Sequence, residues 1–171
     1  MTDVARKQLF LSHAGEDADF ALRLARQLET EWLLQAPRSY VDVFCTSKHE
    51  HRFRDLRKTM PLGANFREEG ERWEKELRQY LHQNLLISTA YLLLVTKQSN
   101  RKSSAWIAFE IDVASEHAKQ TQTFFFPCVA EGATLGDLPS KANEFQGIDL
   151  ASAGAVRELV RVTSNIRSAS D

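Results

Sequence analysis

Apolar residues recur along the chain in two spacings, which predict alternating strands and helices. Five short runs rich in β-branched or aromatic residues are typical of buried strands. They cover residues 9–11, 40–45, 91–96, 123–129 and, more weakly, 146–150. Between the runs, apolar residues step along one face of a helix. These stripes are Phe20, Leu24 and Leu28; Trp73, Leu77 and Leu81; and, near the C-terminus, Val156, Leu159, Val160 and Ile166.

Strands that alternate with helices in this way predict a parallel sheet covered on both faces, and right-handed crossovers leave few topologies. We therefore predict a flavodoxin-like, doubly wound α/β fold: a five-stranded parallel sheet with helices on both faces. The 171 residues fit one domain at roughly 100 to 200 residues per domain, with its core at about residues 8–167. In such folds ligands bind beyond the carboxyl ends of the strands, so the βα loops are where chemistry is expected.

Charge and cysteine content narrow the classes of partner and compartment. Lys and Arg number 22 against 23 Asp and Glu, for a formal net charge of −1, so no general attraction to nucleic acid or to anionic membranes is expected. Cys45 and Cys128 lie in apolar runs, which favours buried free thiols over a disulfide scaffold. No signal-like segment and no run of roughly 20 apolar residues is present. We expect a cytoplasmic protein.

Several common chemistries have no sequence support. The first strand is not followed by G-x-G-x-x-G, and no G-x-x-x-x-G-K-[ST] occurs, so neither dinucleotide-clamping nor phosphate-cradling loops are predicted. Ser12 and His13 lie outside a G-x-S-x-G elbow, which argues against a serine hydrolase. His49 and His51 have no third ligand nearby, and we predict no metal site.

The longest connection, at about residues 46–69, is far longer than a βα loop requires. It carries six basic residues against four acidic ones. Two interpretations stay open: a solvated loop, or a loop that contacts an anion or another protein.

The segment at residues 103–118 predicts a helix with a core-facing stripe and a second stripe at the edge of the core. The first stripe holds Ile107, Ile111, Ala114 and Ala118, and the second holds Trp106, Glu110, Val113 and His117. A carboxylate beside apolar surface is partly desolvated, which often marks a reactive group. The alternative is that Glu110 pairs with Arg101 or Lys102 and that Trp106 only packs.

Three segments in order resemble Toll/interleukin-1 receptor (TIR) domains of the bacterial type. LFLSHAGEDADFALRLARQLE is similar to the family's opening strand, loop and helix, GERWEKELRQYL to its Gly-x-x-Trp helix entry, and SNRKSSAWIAFEIDVA to its Ser-x-Trp-x-x-x-Glu segment. The matching positions are Ser12, His13, Glu16, Asp17, Gly70, Trp73, Trp106 and Glu110. The likeness covers about residues 8–118. It departs at Asp112, where many bacterial members have Gly, and in the long basic loop at residues 46–69, equivalent to the family's BB loop.

The resemblance implies cleavage of NAD+ between nicotinamide and ribose, releasing nicotinamide with ADP-ribose or a cyclic ADP-ribose product. The family's catalytic Glu maps onto Glu110, and Trp106 would stack on a ring of the ligand. Ser12 and His13 would line the same pocket, or would only fix the loop by a hydrogen bond. NAD+ is then the substrate and no cofactor is implied.

The resemblance also implies which partners the protein binds and in which kind of pathway it acts. Activity in the family often depends on self-association through TIR–TIR contacts, in bacterial immune or antiphage signalling with a downstream effector or a sensor protein. The rival interpretation is a non-catalytic adaptor that recruits another TIR domain through residues 46–69. A nucleoside-processing transferase of similar sheet architecture is a third.

Overall fold

The computed structural model describes residues 5–45, 66–99, 105–120 and 124–166. Five strands and four helices alternate along these ranges, as the apolar spacing predicts. The strands are β1 (Ala5–Ser12), β2 (Ser39–Cys45), β3 (Ala90–Thr96), β4 (Phe125–Ala130) and β5 (Ile148–Asp149). The helices are α1 (Ala18–Gln35), α2 (Phe66–Ile87), α3 (Ala105–Gln120) and α4 (Ala155–Ser164). Short 3-10 turns lie at Gly15–Asp17, Leu135–Asp137 and Ala142–Glu144.

The five strands form one parallel sheet in the order β2-β1-β3-β4-β5. This is the flavodoxin-like order, and it confirms the predicted fold class. The chain runs outward from β1 to β2 and then returns to β3 on the other side of β1. Ligand crevices of this fold open at that reversal, beyond the carboxyl ends of β1 and β3. Ser12 and Thr96 are the last residues of these two strands.

Two hydrophobic clusters cover the two faces of the sheet. On one face α1 and α4 pack on alternate strand residues such as Leu9 and Leu92. On the other face α2 and α3 pack on the intervening residues, such as Phe10 and Leu93. All seven residues of β3 are buried, as expected for a central strand with helices on both sides. The side chains that end β1 and β3 are therefore held by a rigid, fully covered sheet.

A lysine in β1 joins the first strand to the last helix. Lys7 is 9% exposed. Its amine donates hydrogen bonds to the carbonyl oxygens of Ser164, at 3.0 Å, and Ile166, at 2.7 Å. The last carbonyls of a helix have no partner within the helix, so a cation there satisfies them. Lys7 thereby fixes the C-terminal end of α4 against the sheet.

The largest differences from the predicted boundaries are at three places. Residues 66–69, predicted as part of the long loop, form the first turn of α2, and the rest of that loop lies outside the described residues. Strand β1 begins at Ala5 and not at Leu9, while β5 is only two residues long. Along the described ranges, no helix is long and apolar enough to cross a membrane.

Candidate functional site

Ser12 and Glu110 meet at the carboxyl end of β1. Ser12 is 2% exposed and Glu110, in the second turn of α3, is 4% exposed. The Ser12 hydroxyl donates a hydrogen bond to Glu110 Oε2 across a sequence separation of 98 residues. Because β1 borders the reversal point of the sheet, this pair lies where the fold places its ligands.

Burial dominates the electrostatics of Glu110. Removal from water raises the pKa of its carboxyl from 4.5 to about 7, and this effect outweighs the Ser12 hydrogen bond and the charge of His13, both of which lower it. The carboxyl is then divided between its neutral and ionised forms near neutral pH. A group of that kind can accept a proton or face a positive charge, and such groups concentrate at functional sites.

His13 follows Ser12 and is fixed by both of its ring nitrogens. Nδ1 lies 2.8 Å from the carbonyl oxygen of Ala14, and because a carbonyl only accepts, Nδ1 carries a hydrogen. Nε2 lies 3.3 Å from the sulfur of Cys45, the last residue of β2. Burial lowers the pKa of His13, but the contacts with Cys45 and Ala14 and the charge of Glu110 outweigh it and raise the pKa above 6.5. His13 is thus part of a loop-fixing contact and also acts electrostatically on Glu110.

Two features predicted around Glu110 fall outside the described part of the structure, namely the Trp106 side chain and the ion-pair partners of the carboxylate. Trp106 is the second residue of α3, one turn before Glu110, and its side chain lies outside the described part of the structure. Arg101 and Lys102 also lie outside the described residues. The structure thus brings together three of the four predicted site residues, Ser12, His13 and Glu110.

Tyr91 is a member of this cluster that sequence reasoning missed. The residue is fully buried in β3, and its hydroxyl forms no hydrogen bond of ordinary geometry with any described residue. Burial raises the pKa of Tyr91 well above its ordinary value; the charge of Glu110 adds to the rise and the Ser12 hydroxyl opposes it. Inside an apolar run, only the phenolic oxygen distinguishes Tyr91 from the core aromatics.

Asp17 and Thr96 form a second buried polar contact, at the carboxyl end of β3. The Thr96 hydroxyl donates to Asp17 Oδ1 at 2.7 Å, and the other carboxylate oxygen of Asp17 has no hydrogen-bond partner within the described ranges. The backbone N–H of Thr96 donates to the Ser99 hydroxyl oxygen at 2.8 Å. These contacts tie the end of β3 to the turn that precedes α1.

The Ser12–Glu110 pair offers the chemistry of one carboxyl group beside a hydroxyl. Within the described ranges, no three His, Cys, Asp or Glu residues are grouped so that they could hold a metal ion. Glu110 is suited to accepting a proton or to stabilising a developing positive charge on a ligand in the crevice.

Comparisons with known proteins give one solved structure of low similarity. No protein-family model matches the sequence, and no curated protein matches it. Among solved structures, the chain is similar to the crystal structure of a prokaryotic SEFIR domain, with 14% sequence identity and a TM-score of 0.48. The alignment covers 92% of this chain and 98% of that one. A likeness of this size carries no argument about function, and the fold assignment here depends on the strand order.

Proposed function

We propose that this protein is a TIR-type NAD+ nucleosidase that cleaves the bond between nicotinamide and ribose. The observation that carries the proposal is the buried Glu110 carboxyl, hydrogen-bonded by Ser12 at the carboxyl end of β1 and with a pKa of about 7. The resemblance of the Ser-x-Trp-x-x-x-Glu segment to TIR domains supplies the substrate. The products are nicotinamide and either ADP-ribose or a cyclic ADP-ribose-type signal.

A single carboxylate suffices for this bond cleavage. The nicotinamide of NAD+ is cationic and leaves as a neutral base when it takes the electron pair of the N-glycosidic bond, so no acid is needed to protonate it. Positive charge moves to the ribose, as in the oxocarbenium-like transition state of glycoside hydrolysis. The ionised Glu110 carboxylate stabilises that charge in a site with little water.

The second step decides the product. Water that attacks the ribose cation forms a new C–O bond and loses one proton, which Glu110 can accept, and gives ADP-ribose. Attack by another part of the same NAD+ molecule gives a cyclic product instead. Because only the ionised carboxylate stabilises the cation, activity is expected to rise with pH through about 7 and then level off.

Self-association and signalling belong to the same proposal. The BB-like loop of one protomer would complete the site of a neighbouring copy, in a cytoplasmic bacterial immune or antiphage pathway with a sensor or effector protein as partner. Turnover per molecule is then expected to rise with protein concentration. Equal turnover across a wide dilution series would contradict the oligomeric form.

The test is incubation of concentrated protein with NAD+, with and without a crowding agent, followed by chromatography and mass spectrometry. Nicotinamide release is expected from the unaltered protein and from Glu116→Gln, which changes an exposed carboxylate of the same helix that pairs with Lys119. Glu110→Gln and Glu110→Ala should release none while keeping their far-ultraviolet circular dichroism. The mass of the partner product separates ADP-ribose from its dehydrated cyclic form.

The adaptor interpretation gives the opposite pattern. It requires no nicotinamide release in any condition, partner recruitment that survives Glu110→Gln, and recruitment lost on loop substitutions such as Arg54→Glu. Those three results together would reject the nucleosidase.

A further inference from the structure

The buried hydroxyl of Tyr91 is costly and has no packing purpose. Tyr91 is 0% exposed and packs between Phe10 and Phe125, with ring centroids 5.6 Å and 4.9 Å away. Its oxygen has no hydrogen-bond partner in ordinary geometry among the described residues, and a buried polar atom without a well-formed hydrogen bond destabilises the folded state. Phenylalanine would fill the same aromatic cluster without that cost. The hydroxyl therefore calls for a role beyond packing.

The strand register places this hydroxyl on the face of the Ser12–Glu110 pair. Tyr91 pairs with Phe10, and Ser12 is two residues further along β1, so Phe10 and Ser12 lie on the same face of the sheet. The Ser12 hydroxyl and the Glu110 carboxylate both act on the Tyr91 phenol. Phe10, Tyr91 and the helix that carries Glu110 contribute to one hydrophobic cluster.

The Ser12 hydroxyl oxygen can accept a further hydrogen bond. A serine hydroxyl has one hydrogen and two acceptor lone pairs. The hydrogen is donated to Glu110 Oε2, so the Ser12 oxygen can still accept. A tyrosine O–H is a donor of the right kind for it, and the Tyr91 O–H has no other acceptor within the described ranges.

We propose that Tyr91 is a positioning residue for Glu110: its O–H donates to the Ser12 oxygen when Glu110 is ionised, and completes a chain from Tyr91 through Ser12 to the carboxylate. When Glu110 holds a proton, its own O–H donates to Ser12 and the Ser12 hydrogen turns towards the Tyr91 oxygen. The chain reverses its direction, and the one proton gained or lost is that of Glu110. This role of Tyr91 deepens the proposed function. It rests on that function only for the reaction that the Tyr91–Ser12–Glu110 hydrogen bonds would assist.

Among the residues that the structure describes, few other charges surround the Tyr91–Ser12–Glu110 contacts. His13, from the loop after β1, acts on Glu110, and His13 is itself held by Cys45 of β2. From β4 the neighbour of Tyr91 is Phe125, which is apolar, and α2 contributes Leu81 and Leu85 to the same cluster. A change in the pKa of Glu110 on removal of the Tyr91 hydroxyl can thus be assigned to the hydrogen bonds that link Tyr91 through Ser12 to Glu110.

The test compares Tyr91→Phe with Tyr40→Phe, which removes the hydroxyl of an exposed tyrosine in β2. The measured quantity is the pKa of the Glu110 carboxyl, followed by carbon-13 NMR of glutamate-labelled protein, with the signal assigned by its loss in Glu110→Gln. Tyr91→Phe should raise that pKa by about one unit, since a donor to the ionised chain is lost. Tyr40→Phe should leave it unchanged. No NAD+ cleavage is needed for this measurement.

A Glu110 titration that is the same in Tyr91→Phe and in the unaltered protein would overturn the proposal and leave Tyr91 as a packing residue. If Tyr91→Phe does not fold, the Cζ signal of Tyr91 in the unaltered protein replaces it: the signal should shift with the midpoint of the Glu110 titration, and a signal flat through that range overturns the proposal. If the nucleosidase is correct as well, the pH–rate profile of Tyr91→Phe should move by the same amount as the Glu110 pKa. An unmoved profile with a shifted Glu110 pKa would count against the nucleosidase and not against Tyr91.

Discussion

Replacing Glu110 with glutamine should change how the stability of the fold depends on pH. In the folded protein burial raises the pKa of this carboxyl from 4.5 to about 7. Between these two pH values the folded state binds more protons than the unfolded state, so the free energy of unfolding falls as pH rises through that window. One pKa unit corresponds to about 1.36 kcal/mol. Glu110 therefore removes about 3 kcal/mol of stability from the protein between pH 4.5 and pH 8.

Glutamine has nearly the same shape and does not titrate, and its side-chain oxygen can accept the Ser12 hydrogen bond. The glutamine NH2 group changes the free energy of unfolding by an amount that does not depend on pH. The gap in unfolding free energy between Glu110→Gln and the unaltered protein should therefore grow by about 3 kcal/mol in favour of the variant as pH rises from 4.5 to 8. Under the proposed function the variant is inactive, and its stability relative to the unaltered protein increases as the solution becomes more alkaline.

Urea unfolding followed by tryptophan fluorescence and circular dichroism, at intervals across this pH range, measures the gap. His13, whose pKa is also raised, makes stability fall as pH rises above 6.5, but it is present in both proteins and largely cancels in the difference. Glu116→Gln, at an exposed position of the same helix, should show no such growth. A gap that stays constant with pH would refute the reasoning, because it would mean that Glu110 is ionised in the folded protein throughout.

Three further substitutions or treatments test the contacts around the sheet. Lys7→Met removes the donor to the carbonyls at the end of α4 and should cost about 2 kcal/mol of unfolding free energy. An unchanged melting temperature would show that the Lys7 contacts do not stabilise the fold. Thr96→Val leaves both oxygens of the buried Asp17 carboxylate without a hydrogen-bond partner among the described residues and should cost about 1–3 kcal/mol of unfolding free energy. Adding Asp17→Asn to that variant should cost less than the sum of the single changes, and strict additivity in thermal or urea unfolding would show that the pair does not interact. Burial raises the pKa of the Cys128 thiol to about 12, so a thiol reagent at neutral pH should label it only after unfolding in urea, and rapid labelling of the native protein would show the site to be open.

The fold was predictable from the sequence because apolar patterning and topology rules act together. Buried runs such as residues 91–96 stand out by their lack of polar residues, and the alternation with amphipathic helices leaves few parallel arrangements. Boundaries were less accurate. The two-residue β5 and the early start of β1 depend on which backbone groups find partners, and that is decided by tertiary pairing.

The candidate site was predictable in part. Ser12 and Glu110 lie in separate segments, and the strand-end rule together with the family resemblance placed both at one crevice. Helical spacing put Glu110 at the rim of the core, whereas the structure buries it almost completely, at the end of β1, where the Ser12 hydroxyl donates a hydrogen bond to its carboxyl group. The position of the Tyr91 hydroxyl beside Ser12 and Glu110 has no sequence signal, since it depends on the register between β1 and β3.

The contact between Lys7 and the end of α4 sets the order in which the chain can finish folding. The amine and its carbonyl partners are 157 and 159 residues apart in sequence. At typical rates of translation, the ribosome needs on the order of ten seconds to make the intervening chain. During that interval β1 is already synthesised, but α4, whose end accepts the Lys7 hydrogen bonds, is not. The strands that pair with β1 are also synthesised after it. The Lys7 amine of a nascent chain thus has no carbonyl partner from α4 until that helix has been made, so the contact between β1 and α4 forms only after the strands and helices between them have been synthesised.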